Sequence, residues 1–180
     1  MECSMPPPVD CDLASLDVPL ERDSFMRELL RQLSGTLQDV VGMEEAAGFV
    51  SIVGQGMGEI INHDYCQALQ LPCLSREQVA AVMADLKQRI QGDFRVISQD
   101  AEKIILESVS CPFAEKVIGR PSLCMMTSNV FGTIAAENLG YAKVHLDRTI
   151  ADGDSGCRVV VYLDHSDEAE SVPGIEYYQS

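Results

Sequence analysis

Tryptophan is absent from this chain of 180 residues, and only five Tyr and five Phe are present. Its core must therefore be built from aliphatic side chains and methionine. Basic residues are the next scarcity, with 13 Lys and Arg against 28 Asp and Glu, a formal net charge of −15. That balance argues against a general nucleic-acid binder, whose affinity comes from Lys and Arg set on phosphates. No apolar run approaches the roughly 18–20 residues that span a bilayer, so no membrane partner is expected. Met1 to Leu20 carries acids and prolines where a secretory signal needs basic residues and an apolar stretch. Nucleophile elbows and HExxH pairs are missing too. The GQGMGE stretch (residues 54–59) has no strand before it and no Lys after it, so it is not a phosphate loop. The chain is read as a non-enzyme, with thiol-dependent catalysis ranked last.

What is present points to a folded unit. Apolar residues make up 46% of the chain, too many for disorder, and the length suits a single domain. Seven cysteines, an odd number, fit free thiols in a reducing cytoplasm better than a disulfide framework. The charge is uneven. Residues 1–23 hold six acids and one base, and residues 164–180 hold five acids and no base, so each end carries −5. Neither end has apolar periodicity. The expected organisation is a flexible acidic tail over 1–22, one domain over 23–163, and a second flexible acidic tail over 164–180.

Within the domain, Asp23 opens a helix with apolar residues at three- and four-residue intervals from Phe25 to Val41. A second helix runs from about Glu44 to Leu69, apolar on more than one face. Gly48, Gly54, Gly56 and Gly58 suit it to close approach by another backbone, at the fold centre or a dimer seam. Ser75 to Gln78 is a capping box that opens a third helix through about Gln91. The period then changes to two: Phe94–Ser98 and Lys103–Val109 read as a hairpin. A fourth helix spans about Ser122 to Asn138, closed by Gly140. Strands over Ala142–Ile150 and Cys157–Leu163 follow. The predicted fold is α+β, N-terminal helices with a four-stranded, mainly antiparallel sheet and a helix between strands two and three.

This layout brings Cys111, Cys124 and Cys157 toward one edge of the sheet, with 12 and 32 residues between them. Cys124 lies in the first turn of the fourth helix, where the helix dipole favours thiolate. Three soft ligands suit Zn²⁺ or an iron–sulfur cluster, and buried free cysteines are the structural alternative. Cys66, Cys73 or His63 could supply a fourth ligand. Met125, Thr127 and Asn129 lie near Cys124 and could line or hydrogen-bond a bound group.

The stretches CPFAEKVIGRPSLCMMTSNVFG, AAENLGYAKVHL and IADGDSGCRVVVYL, between Cys111 and Leu163, resemble the methanogen output domain family, modules attached to histidine kinases and regulators. More distantly they are similar to the 4-vinyl reductase domain superfamily, which includes ligand sensors with a cysteine-bound metal. The cysteine arrangement also resembles the C-terminal sensor of iron–sulfur-responsive repressors, without their winged helix. The resemblance implies ligation by Cys111, Cys124 and Cys157, with Gly153 and Asp154 shaping the turn before Cys157. The functional expectation is a cytoplasmic sensory module, a homodimer, reporting redox state, a gas or a small ligand to a kinase or regulator. Its cofactor is expected to be a [4Fe-4S] cluster, then zinc, then haem. The alternative is a binding module for a tetrapyrrole or apolar ligand whose cysteines are structural.

Overall fold

A computed structural model describes residues 17–18 and 21–180. Most of the expected N-terminal tail, with Cys3 and Cys11, lies outside the described residues. Three helices lead: α1 (Arg22–Val41), α2 (Met43–Leu69) and α3 (Arg76–Arg89). The hairpin β1 (Arg95–Gln99) and β2 (Lys103–Ser108) follows, then α4 (Cys124–Leu139). The strands β3 (Tyr141–Arg148) and β4 (Cys157–Tyr162), a short α5 (Asp167–Ser171) and β5 (Ile175–Tyr178) complete the chain. Among the described residues, no helix is long and apolar enough to cross a membrane.

Local signals set several boundaries. The capping box at Ser75 forms, with Ser75 accepting from the Gln78 amide and Gln78 reaching back. Gly140 ends α4 at a φ of 90° that favours glycine. Helix α1 is capped by Glu21, two residues before Asp23, through a reciprocal pair between Glu21 and Ser24.

The sheet is antiparallel throughout in the order β1-β2-β4-β3-β5, so it has five strands and not four. Period-two alternation turns Ile104, Leu106, Val159 and Val161 to one face, where they meet α3 and α4 in the main core. Helix α4 is buried along most of its length, with α2 on its far side; Gly54 and Gly58 admit Asn129 and Thr133. On the opposite sheet face Val160 and Tyr162 pack against Ala169 of α5.

The C-terminal segment corrects the expectation of a flexible acidic tail over 164–180. β5 pairs with β3, the Tyr177 hydroxyl lies 2.9 Å from that of Ser128, and Lys143 donates to the Ala169 carbonyl at 2.8 Å. Three apolar side chains, Ala169, Val172 and Tyr177, anchor a stretch too short and too acidic to display a period. The pairing with β3 is long-range and leaves no local signature.

Candidate functional site

Three separated elements deliver the cysteines. Cys111 sits three residues beyond the end of β2, Cys124 is the first residue of α4, and Cys157 opens β4 directly opposite Ser108. Between Cys111 and Cys124 the chain makes two 3-10 turns, Ala114–Val117 and Pro121–Leu123. Ala114 has φ +49°, a conformation that a non-glycine residue rarely adopts, in the turn that closes on the Cys111 carbonyl. The loop before Cys157 is organised as expected: Gly153 has φ 98° and the Asp154 carboxylate accepts from the Thr149 amide at 3.0 Å.

All three thiols line one cavity of about 30 Å³, together with Thr127, Thr149 and an apolar wall that includes Phe94, Leu123 and Leu146. That space holds one or two waters or a single ion. The Cys157 sulfur accepts from the Ile150 amide at 3.5 Å.

Burial dominates the electrostatics. It pushes the Cys124 thiol up to about 12, with the neighbouring Cys157 and Cys111 adding to the shift. Burial likewise raises Cys111. This corrects the expectation that the helix start makes Cys124 a ready thiolate. A dipole effect of about a kcal/mol is outweighed by removal of the charged form from water.

Beside the thiols lies Lys87, 5% exposed. Its Nζ donates to Thr127 Oγ1 at 2.7 Å and stands 5.5 and 5.4 Å from the ring centres of Phe94 and Phe131. Burial lowers it from 10.5 to about 8, while Cys111, Cys157 and Cys124 pull it back upward. Sequence reasoning passed over this residue. The signal was available: Lys87 falls four residues after Met83 and eight after Val79, on the apolar stripe of α3.

The remaining site expectations divide. Thr127 lines the cavity. Asn129 turns away, donating to Ser51 Oγ on α2 at 3.0 Å and to the Met125 carbonyl at 2.8 Å. Met125 is not among the lining residues, and Met126 lines a groove beside α1 and α2. Cys66 lies near Asn62 and Asn138, at the far end of α4 from Cys124, ~21 Å away along the helix. Cys73 is exposed. Neither reaches the cavity as a fourth ligand, and His63 is an exposed residue of α2.

The donor set, three soft thiols beside a buried cation, fits a thiolate-bound centre of net negative charge. Thiolates on one tetrahedral zinc stand ~3.8 Å apart, given a Zn–S distance of about 2.3 Å. Among the described residues, the group of three His, Cys, Asp or Glu whose ligand atoms all lie within 4.8 Å is the exposed His165, Glu170 and Glu176. The three cavity sulfurs are not all within that distance of one another.

The antiparallel sheet, backed by helices, thus carries a cavity lined by three thiols where β2, β4 and the start of α4 meet. The chain matches the family model of methanogen output domain 1 over residues 29–162, and it belongs to that family. Among solved structures it is similar to the phenol-responsive sensory domain of the transcription activator PoxR with phenol. That match has 15% identity and a TM-score of 0.59, covering 86% of this chain and 81% of that one. It is also similar to a trafficking protein particle complex subunit 3 from Naegleria fowleri covalently bound to palmitic acid. Here identity is 14% and TM-score 0.53, covering 78% of this chain and 96% of that one. At these identities the likeness is one of fold. No curated protein matches the chain.

Proposed function

We propose that this chain is a sensory module holding a soft metal centre on Cys111, Cys124 and Cys157, a [4Fe-4S] cluster ahead of zinc. The carrying observation is the convergence of three thiols from three separated elements on one cavity, whose Thr127 accepts a hydrogen bond from the buried cation of Lys87. Binding deprotonates the thiols, and Lys87 then serves as the buried counter-charge. A cluster held by three cysteines keeps one iron open to a gas or small ligand. A cluster or a haem is larger than the cavity of about 30 Å³, which must open to admit either, and haem, the larger of the two, ranks last. In this reading a cytoplasmic homodimer passes the change at the centre to a kinase or regulator.

A second reading has one observation in its favour. The cavity walls are mostly apolar, and the PoxR sensory domain of similar fold was solved with phenol. An aromatic ligand would then occupy the enlarged cavity and the cysteines would be structural.

Anaerobic purification with iron, sulfide and zinc analysis and an absorption spectrum separates the two. The first reading expects a broad visible shoulder and stoichiometric iron and sulfide, both lost in the triple Cys→Ser variant. A metal-free protein whose triple variant is equally stable and equally folded would sink it.

A further inference from the structure

The glycines of α2 divide by face. Gly54 and Gly58 look inward, where a Cβ on either would lie 2.7 Å from the Cβ of Asn129 or Thr133. Gly48 and Gly56 look the other way, with nothing within 4 Å of the Cβ another residue would carry. Each costs a helix interior about 1 kcal/mol relative to alanine, and no contact among the described residues offsets that cost. Around them Phe49, Ile52, Val53, Met57 and Ile60 are 42–72% exposed. Helix α1 continues the surface: Leu30 and Leu33 share an apolar groove with Phe49 and Val53. The exposed large apolar side chains of the two helices between Phe25 and Ile60 are 38–76% accessible, a surface of the order that each partner of a stable interface covers, about 800 Å².

We propose that this face is a homodimer seam in which α2 crosses the α2 of a second copy antiparallel at Gly56. In that register Ile52 of each copy meets Ile60 of the other on either side of a two-fold axis, the self-complementarity an isologous contact requires. The missing side chain at Gly56 lets the two backbones approach. A bilayer is the poorer occupant. α2 contains no Lys or Arg and carries Glu44, Glu45 and Glu59, whereas helices lying on anionic membranes present basic flanks.

The seam is joined to the thiol cavity through α1. The Arg31 guanidinium donates to the Lys116 and Ile118 carbonyls at 2.6 and 3.0 Å, and Lys116 pairs with Glu28 at 2.8 Å. Nearer Cys124, Ser34 and Gln38 hydrogen-bond the Ser122 hydroxyl at 2.8 and 2.9 Å. A guest that displaces the Cys111–Cys124 segment therefore pulls on α1, at the rim of the seam. The proposal rests on the homodimer part of the functional reading and is independent of the metal centre.

Size-exclusion chromatography with light scattering on the full chain at micromolar concentration tests it. The expected mass is twice 19.7 kDa. Ile52→Asp should weaken association by roughly 100-fold and leave the far-ultraviolet circular dichroism unchanged. Gly56→Gln fills open space in the single chain with a better helix former, so it should also yield a monomer, one whose far-ultraviolet circular dichroism matches the wild type. Ile97→Asp, an exposed apolar position on β1, should leave the dimer intact. A monomeric wild type overturns the proposal, as does a dimer that survives both α2 substitutions. A monomer that co-sediments with anionic phospholipid vesicles overturns it in favour of a membrane. Metal content measured on the same samples keeps the readings apart: a metal-loaded monomer sinks only the seam, and a metal-free dimer sinks only the centre.

Discussion

Lys87 on α3 donates to Thr127 Oγ1 on α4 at 2.7 Å, with no carboxylate bonded to the ammonium. Thr127 lines the cavity shared by Cys111, Cys124 and Cys157, so a positive charge stands one hydrogen bond from those thiols.

That charge has a stability consequence in the metal-free protein. Below about pH 8 Lys87 is protonated in both folded and unfolded chains, so the folded state bears the whole cost of burial. Between about 8 and the ordinary 10.5 the unfolded chain holds more protons, and folding stability rises with pH. Lys87→Met is therefore expected to stabilise the metal-free protein by ~3 kcal/mol at pH 7, with the difference gone by about pH 10.5. Urea unfolding of both chains across that window measures it. A difference that stays constant with pH would show that Lys87 is not titrating in this way.

The opposite sign is expected once the centre is bound. Lys87→Met then removes a neighbouring counter-charge, and metal affinity should fall ~10–100-fold. Competition with a chelator reads this directly. Cys66→Ser and Cys73→Ser, which leave the cavity lining untouched, should bind as the wild type does.

Packing at the α2–α4 contact separates inward from outward glycines. Gly54→Ala puts a methyl 2.7 Å from the Asn129 Cβ and should cost ~1–3 kcal/mol. Gly48→Ala meets nothing within 4 Å and should gain up to ~1 kcal/mol. Thermal melts of the two variants at equal concentration decide it.

Tyr177 covers Gly132 so closely that a Cβ there would lie 2.1 Å from its ring. Tyr177→Ala should destabilise the fold by ~3 kcal/mol. A melting temperature unchanged from wild type would mean that β5 adds nothing to the domain.

Arg31→Met removes the donor to the Lys116 and Ile118 carbonyls. Amide hydrogen exchange over residues 114–119 should quicken while that of α4 stays protected. Equal exchange in both proteins would show that α1 does not restrain the cysteine loop.

The sequence by itself determined the features written in local hydrogen bonding and periodicity. The Ser75–Gln78 box opens α3, the Gly140 stop closes α4, and the alternation of β2 and β4 puts Ile104, Leu106, Val159 and Val161 inside. The convergence of Cys111, Cys124 and Cys157 was legible as well, because element order alone brings their segments to one sheet edge. Lys87 was legible in principle, being in phase with Met83, yet its place beside the thiols depends on how α3 lies across Phe94 and Phe131. Tertiary structure alone decided the rest. β5 exists because β3 offers it an unpaired edge, a partnership that residues 164–180 do not advertise. Asn129 turns to Ser51 because Gly54 admits it there. The direction of the Cys124 shift was decided by burial, since a helix dipole is a property of one element and desolvation depends on every element that closes over the sulfur.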